Sequence, residues 1–126
     1  MKTKIIILGA KGLLGKNLIK TCEEKNFSFV SVGRKECDIN LDLTNNSATK
    51  KIIDKTCKNI IINATGFTSL DKCEKDYDNC YKINTKIVDN IINTKLKKNF
   101  RFVQISTDQL YDGKKGTPNK EDGKIK

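Results

Sequence analysis

Apolar residues along the chain alternate between short continuous runs and stripes at helical spacing. Continuous runs are typical of strands covered on both faces, and spaced stripes are typical of helices with one buried face. The runs predict strands over residues 4–9 (KIIILG), 27–32 (FSFVSV), 59–64 (NIIINA) and 101–106 (RFVQIS), with residues 103–106 buried, and a short strand within 39–43 (INLDL).

Three stripes between these strands predict helices over residues 13–25, 47–57 and 78–96, and Ser47 is a suitable cap for the second. Strands that alternate with helices of this length predict βαβ units and an α/β fold with a parallel sheet. The sequence after Asp112 turns to Gly, Lys, Pro, Asn and Asp, so we expect one domain over residues 1–112 and a flexible polar tail over 113–126. The helical faces turned inward would contain Leu14, Leu18, Ile19 and Cys22, then Ile52, Ile53 and Cys57, then Tyr81, Ile83, Ile87, Val88, Ile91 and Ile92.

The net charge of +10 comes from 25 Lys and Arg against 15 Asp and Glu among 126 residues. Nearly all of the positive charge is Lys, with Arg only at Arg34 and Arg101, and no aromatic residues interleave with it. This favours a solvated surface over a nucleic-acid partner, because Arg is the better fork for bases and phosphates. No apolar run approaches the roughly 20 residues that a membrane span needs, so we expect no membrane partner.

The five cysteines form no CxxC pair, and the chain has no His, which excludes the usual zinc spacings and any His-based catalytic dyad. We therefore expect no metal. Unpaired thiols fit the reducing cytoplasm. Cys73 and Cys80 lie seven residues apart, so a helix would carry both on one face, where buried small apolar residues are more usual than a redox pair.

The strongest local motif is GAKGLLG, in which Gly9, Gly12 and Gly15 follow the first strand and open the first helix. In this setting, glycines allow a tight turn and a close approach of the backbone to a pyrophosphate, and the helix N-terminus supplies amide donors. The spacing is GxxGxxG and not GxGxxG. The context nevertheless predicts a Rossmann-type, doubly wound dinucleotide-binding domain.

The acidic ribose ligand expected about 20 residues further on is missing from its usual place. Gly33, Arg34 and Lys35 follow the second strand instead, and Arg34 would stack on adenine and pair with a 2′-phosphate. Alternatively, Arg34 is a surface residue and Glu36 or Asp38 binds the ribose. We favour NADP(H) over NAD(H).

Five segments resemble those of extended short-chain dehydrogenases, in order and in approximate spacing: GAKGLLG, LDLT, IIINATGFTSLDKCE, YKIN and VQISTDQLYDG. The likeness is greatest to the dTDP-4-dehydrorhamnose reductase family, with NATGFTSLDKCE and STDQLYDG as its most specific parts, and it runs from about Lys4 to Asp122. It implies reduction of a 4-keto sugar on a nucleotide, and a nucleotide-sugar substrate for the complete enzyme.

The resemblance also implies roles for individual residues. Thr107 would orient the substrate carbonyl as a catalytic hydroxyl, and Asp108 would lie beside it near the sugar nucleotide. Asn63 and Asn84 would order the sheet ends around the cofactor. The cofactor-binding residues would be Gly9, Gly12, Leu13, Leu14 and Gly15 at the pyrophosphate turn, Gly33 and Arg34 at the ribose, Asp42 and Leu43 at the adenine, and Asn63, Ala64, Thr65, Gly66, Asn84 and Ile105 at the strand ends.

Thr65 and Gly66 replace alanines of the family pattern, and Gln109 and Leu110 replace an aromatic-aliphatic pair. Such enzymes also use a Tyr-x-x-x-Lys pair on a helix for proton transfer. Only Tyr111 and Lys115 have that spacing, and Gly113 and Gly116 argue against a helix there. We therefore expect the front part of a reductase, inactive alone, whose sheet is incomplete at its C-terminal side.

Such a sheet would have an open edge, so we expect the chain to be marginally stable or prone to aggregation unless a homo-oligomer or another chain covers that edge. The alternative function is a non-catalytic nucleotide-binding or regulatory module of the same family.

Overall fold

The computed structural model describes residues 4–54, 60–95, 99–114 and 116–125. Within these ranges, five strands form one parallel sheet in the order β3-β2-β1-β4-β5. The predicted α/β fold class is therefore confirmed, with β1 at the centre. The strands are β1 (Ile5–Leu8), β2 (Phe29–Gly33), β3 (Ile39–Asn40), β4 (Ile60–Asn63) and β5 (Arg101–Gln104).

The helices return the chain between these strands. The predicted third helix is a chain of three segments, α4, a π-helical segment and α5, and a short α3 that the sequence did not predict precedes it. The helices are α1 (Leu13–Glu24), α2 (Asn46–Asp54), α3 (Leu70–Lys75), α4 (Tyr77–Tyr81) and α5 (Ile87–Lys95), with the π-helical segment over Lys82–Lys86 and a 3₁₀ turn over Asp108–Leu110.

Side chains of β1 alternate between two cores, one on each face of the sheet. Ile7 packs with Cys22 of α1 on one face. Ile6 and Leu8 belong to the larger core on the other face, which α2 and α5 cover. Helices on both faces are the doubly wound arrangement, and they explain why β1 reads as a continuous apolar run. The larger core consists of Ile6, Leu8, Val32, Leu43, Ile52, Ile53, Ile61, Ile87, Ile91 and Phe100.

Several details of the predicted helices differ from the structure. Ser47 is not the cap of α2, because the helix begins at Asn46 and the Oδ1 atom of Asn45 accepts a hydrogen bond from the Ala48 N–H at 3.1 Å. The side chains of Leu14, Tyr81 and Ile92, predicted to face inward, are 40%, 41% and 38% exposed. The predicted inward position of Cys57 lies outside the described residues.

Strand β5 is an edge strand, because it pairs with β4 alone among the described residues. The expectation that residues 103–106 are buried was wrong, since Val103 is 38% exposed, Ile105 is 42% exposed and the strand ends at Gln104. Apolar side chains at an open edge are exposed when no further strand or helix covers them, as the pattern of the sequence alone could not reveal.

The described part of 111–125 contains bends and turns but no helix or strand. The Tyr111 hydroxyl donates to the Lys120 carbonyl oxygen at 3.4 Å, and Gly113 has a φ of 71°. Tyr111 therefore does not lie on a helix, and Lys115 lies outside the described residues. No helix in the described ranges is long and apolar enough to cross a membrane.

Candidate functional site

The carboxyl ends of the strands meet at one edge of the sheet. Leu8 is in register with Val32 and with Asn63, and Asn63 is in register with Gln104. Strand order reverses between β1 and β4, and open α/β sheets bind ligands in the crevice at such a reversal. The residues that directly follow these four therefore lie along the same edge of the sheet: Gly9, Gly33, Ala64 and Ile105.

Gly9 follows β1 and packs against the backbone that follows β4. Its φ is 77°, in the left-handed region, and its N–H donates to the Val32 carbonyl oxygen at 3.0 Å. A Cβ atom at this position would lie 2.8 Å from backbone atoms of Ala64 and Thr65. The packing of the turn against the β4 end therefore requires glycine here.

Gly15 and Gly12 differ in what surrounds them. A Cβ on Gly15, which is buried in α1, would collide with the Gly9 carbonyl oxygen, so the helix packs directly on the turn. A Cβ on Gly12 would meet only the Gly9 oxygen, at 3.4 Å, which is ordinary contact. No atom of the described residues therefore requires glycine at position 12, and the space that they leave in front of it is open to a ligand.

The start of α1 is suited to an anionic ligand. Gly12 is its N-cap and supplies no side-chain cap, and no acidic residue lies in the first turn. The first amide groups of such a helix have no intrahelical partner, and the helix dipole favours negative charge there. Leu13 and Leu14, both predicted to contact a cofactor, are exposed beside the turn, Leu13 by 85%. This turn therefore fits a pyrophosphate.

The acidic residues after β2 have partners within the protein. The Asp38 carboxylate accepts hydrogen bonds from the Ser31 N–H at 2.8 Å and from the Ser31 hydroxyl at 2.7 Å, and these bonds lower the pKa of Asp38. Glu36 forms an ion pair with Lys11 at 3.3 Å. Arg34 is exposed beside Gly33. The alternative in which Glu36 or Asp38 binds a ribose would require these interactions to be given up.

The loop after β3 contains Asp42 and Leu43. The Asp42 carboxylate accepts from the Thr44 hydroxyl at 2.7 Å and from the Thr44 N–H at 2.9 Å, and these bonds, with a smaller contribution from the Arg34 charge, lower the pKa of Asp42. Leu43 is only 6% exposed, and its carbonyl oxygen accepts from Thr49 and Asn90. A contact between Leu43 and a ligand would therefore not use the buried side chain.

Asn63 joins the ends of β4 and β5. It is 1% exposed, its Nδ2 donates to the Gln104 Oε1 atom at 2.8 Å, and its Oδ1 accepts from the Thr65 hydroxyl at 2.6 Å and the Thr65 N–H at 3.1 Å. The Ile105 N–H donates to the Asn63 carbonyl oxygen at 3.3 Å. The buried side-chain amide thus joins Thr65, in the loop after β4, to Gln104 at the end of β5, while the backbone carbonyl of Asn63 holds Ile105.

Asn84 holds the loop that follows Gly66. Its Oδ1 accepts from the Phe67 N–H at 2.8 Å, and its Nδ2 donates to the Phe67 carbonyl oxygen at 3.1 Å. The π-helical segment carries Asn84 toward the sheet edge, as such segments often do near functional sites. Asn63 and Asn84, both predicted from the sequence to order the sheet ends, therefore form hydrogen bonds with the loop after β4.

Thr107 and Asp108 follow β5 and are exposed. Thr107 is the N-cap of the 3₁₀ turn, and its Oγ1 accepts from the Gln109 N–H at 3.2 Å. The Thr107 hydroxyl also donates a hydrogen bond to the Asp108 Oδ1 atom at 3.3 Å. The turn holds both side chains just beyond the strand end.

Sequence reasoning missed three partners that shape this edge: Gln104, Ser31 and Phe67. Gln104 had a usable signal, because Asn63 and Gln104 are the polar positions that end two otherwise largely apolar runs. A groove of about 440 Å³ lies nearby, between the start of α2 and the α4–α5 region, with Thr44 and Lys86 on its walls. It contains none of the predicted site residues.

Comparison with known proteins gives consistent similarities. Residues 3–126 match the family model described as the RmlD substrate binding domain. A dTDP-4-dehydrorhamnose reductase of Aggregatibacter actinomycetemcomitans is 31% identical over 119 residues, which are 94% of this chain and 39% of that protein.

Two solved structures, both of dTDP-4-dehydrorhamnose reductases, are similar as well. The one from Clostridium acetobutylicum has a TM-score of 0.87 and 34% identity, covering 98% of this chain and 43% of that one. The one from Bacillus anthracis, in complex with NADP, has a TM-score of 0.79 and 30% identity, covering 91% of this chain and 40% of that one. The chain thus spans about two fifths of the length of these relatives.

Proposed function

The chain belongs to the family of the RmlD substrate binding domain, and on that basis we propose that it forms the cofactor-binding part of an NADPH-dependent reductase of nucleotide-linked 4-keto sugars. The observation that carries the proposal is the turn at the β1–β4 crevice. The fold itself requires Gly9 and Gly15, whereas only a ligand would require Gly12. A pyrophosphate lying against Gly12 would accept hydrogen bonds from the first amides of α1.

The rest of the cofactor would follow the sheet edge on either side of this turn. On one side, Gly33 and Arg34 would contact the adenosine ribose, and Asp42 with the backbone of Leu43 the adenine. On the other side, Ala64, Thr65 and Gly66 would form the wall, held by Asn63 and Asn84, with Ile105 beside them. NADP bound to the Bacillus anthracis relative supports this class of cofactor.

The preference for NADPH over NADH depends on Arg34. Its guanidinium is exposed after β2, and the acidic groups of Glu36 and Asp38 are engaged by Lys11 and Ser31. Asp38 keeps its negative charge, because the hydrogen bonds from Ser31 lower its pKa, so the preference would rest on the attraction between the Arg34 guanidinium and the 2′-phosphate. A guanidinium pairs with a phosphate through two parallel hydrogen bonds, which NADH cannot offer.

We expect Arg34→Ala to weaken NADPH binding by about 10- to 100-fold, the loss of one or two charge-assisted hydrogen bonds, and to leave NADH binding nearly unchanged. Calorimetric titration of both cofactors measures the effect. Arg101→Ala is the matched control, because Arg101 is exposed at the opposite end of the strands. Equal losses for NADPH and NADH, or tighter binding of NADH by the unchanged chain, would contradict the role of Arg34.

In the reaction, the nicotinamide ring would deliver hydride to the keto carbon of the sugar. The Thr107 hydroxyl would orient the carbonyl oxygen, and Asp108 would lie near the sugar nucleotide. A proton must also reach that oxygen. Tyr77 and Tyr81, whose rings stack 6.4 Å apart on α4, and Tyr111 lack a lysine one helical turn away in the described structure. We therefore expect binding without turnover from these residues alone.

A binding or regulatory module of the same family is the second candidate, because the proposed cofactor contacts all lie within the described residues. Mixing the chain with the remaining three fifths of a similar reductase discriminates between the two functions. Substrate-dependent loss of NADPH absorbance that appears only on mixing supports the reductase. NADPH binding without such activity, in a mixture shown to form a complex, favours the module.

A further inference from the structure

Cys73 and Cys80 are brought together by the junction of two short helices. Cys73 lies on α3 and Cys80 on α4, and not on one continuous helical face as the sequence spacing suggested. Their Sγ atoms are 2.6 Å apart, and both residues are only partly buried. They are therefore not the fully buried apolar pair expected from the sequence, and reagents in solution can reach them.

The two thiols are tied to the loop after β4. The Cys73 S–H donates to the Phe67 carbonyl oxygen at 3.2 Å, and the Cys80 S–H donates to the Cys73 Sγ. Asn84, which holds Phe67 from the other side, donates from Nδ2 to the Cys80 Sγ at 3.4 Å. A change in the bonding of either sulfur therefore alters the support of the Phe67 peptide.

We propose that Cys73 and Cys80 form a reactive dithiol site that is oxidised by small disulfides to an intramolecular disulfide, with loss of the hydrogen bond from Cys73 to the Phe67 carbonyl. The geometry is nearly in place, because closing the sulfur separation from 2.6 Å to a bond of about 2.05 Å needs a movement of only about half an ångström. Once one of the two sulfurs has been oxidised, the other is already close enough to complete the intramolecular disulfide.

The chemistry is two thiol–disulfide exchanges. With glutathione disulfide as the oxidant, the Cys80 thiolate attacks one sulfur of the oxidant and releases one glutathione as its thiolate. Cys73 then gives up its proton and attacks the Cys80 sulfur, which releases the second glutathione. Two protein thiols are oxidised, one glutathione disulfide is reduced to two glutathiones, and the proton from each protein thiol balances each released thiolate.

The order of attack follows from the hydrogen bond that Cys73 donates to the Phe67 carbonyl oxygen, because this bond exists only while Cys73 keeps its proton. Contact with the Cys80 side chain, together with partial desolvation, raises the pKa of Cys73 to about 11. Cys73 is therefore a thiol at neutral pH, and a thiol is a poor nucleophile. Cys80 makes the first attack and Cys73 resolves the mixed disulfide.

The oxidised pair would also affect the proposed cofactor site, and this part rests on the proposed function. Phe67 directly follows Ala64, Thr65 and Gly66, which would form the wall of the cofactor cleft. A disulfide has no S–H donor, so oxidation leaves the Phe67 carbonyl to Asn84 alone. We expect NADPH to bind more weakly to the oxidised chain than to the reduced chain.

Peptide mapping tests the disulfide directly, because trypsin cleaves after Lys72, Lys75 and Lys82 and so separates the two cysteines into peptides 73–75 and 76–82. After incubation of the folded chain with glutathione disulfide, we expect these two peptides to remain joined until a reductant is added. The intact chain should lose about 2 Da, for two hydrogens, with no glutathione attached.

Cys73→Ser should instead retain glutathione on Cys80, and Cys80→Ser should react slowly. Cys22→Ser, at a buried site outside the pair, is the control that should behave like the unchanged chain.

Hydrogen exchange at the Phe67 amide tests the loop. It should become faster on oxidation, and Cys73→Ala should show faster exchange without oxidant and no response to it. Thiols at 73 and 80 that stay free in the folded chain, or stay separately glutathionylated, would overturn the proposal, as would unchanged exchange at Phe67 after the disulfide forms. A chain that forms the disulfide but never binds NADPH would refute the proposed function and leave the dithiol site intact.

Discussion

Alanine at Gly9 is expected to destabilise the chain by about 3 kcal/mol or more, whereas alanine at Gly12 is expected to cost about 1 kcal/mol or less. Gly9 has a positive φ and its new Cβ would lie 2.8 Å from the backbone of Ala64 and Thr65. The new Cβ at Gly12 would have only an ordinary contact at 3.4 Å. Urea denaturation followed by circular dichroism measures both changes, and in a marginally stable chain Gly9→Ala would abolish the cooperative transition.

Of the two substitutions, the one at Gly12 disturbs the fold less, but its effect on NADPH binding should be large. Gly12→Ala should keep the fold and weaken NADPH binding by about 10-fold or more, because the methyl group fills the space through which a phosphate approaches. Lys16→Ala, on the exposed side of α1, is a control that should change neither property. Equal stability of the Gly9 and Gly12 variants would contradict the packing described for the turn, and unchanged NADPH binding by the Gly12 variant would contradict its role.

Asn63→Ala is expected to cost about 2–3 kcal/mol, because it removes a buried amide that makes three side-chain hydrogen bonds and leaves a cavity. The ends of β4 and β5 should loosen together, so amide exchange should increase at Thr65 and at Ile105. Asn40→Ala, at an exposed asparagine that accepts a single hydrogen bond from the Cys37 N–H, is the matched control and should cost much less.

A double-mutant cycle with Gln104→Ala separates the contribution of the Asn63–Gln104 bond from that of the Thr65 loop. We expect a coupling of about 1 kcal/mol between Asn63 and Gln104, typical of one net hydrogen bond. Additive effects of the two substitutions would mean that the amide does not join the two strands. A change confined to Thr65 would then limit the role of Asn63 to the loop.

The strands and the glycine turn were predictable because their signals are local. Buried parallel strands must be continuously apolar, and a turn that packs on its own helix must contain glycine. The α3 helix escaped prediction because its six residues are too few to display a stripe. Asp76 then ends α3 and caps α4 through the Asn79 N–H, so the seven-residue spacing of Cys73 and Cys80 spans two helices.

Burial of β5 and the cap of α2 could not be read from the sequence for a different reason. An apolar run indicates a strand but does not indicate whether another element covers it, so Val103 and Ile105 were expected inside. Asn45 and Ser47 are both good N-cap residues, and only the backbone geometry selects Asn45. Among the site residues, the glycines could be argued from physics, whereas roles for Thr107 and Asp108 came from the family resemblance alone.

The exposed edge of β5 bears on any experiment with this chain. Val103 on the strand and Ile105 directly after it expose apolar surface, by 38% and 42%. Exposed apolar side chains at an unpaired strand favour association between chains, so the sample must be checked for aggregation before it is titrated.

Titration of the purified chain with NADPH tests the central proposal most directly. Circular dichroism first establishes that the sample is folded, and the fluorescence of the reduced nicotinamide then reports binding. We expect saturable binding, tighter for NADPH than for NADH and weakened by Gly12→Ala. A folded chain that binds neither cofactor at concentrations on the order of 1 mM, a free energy weaker than about 4 kcal/mol, would contradict a cofactor-binding role.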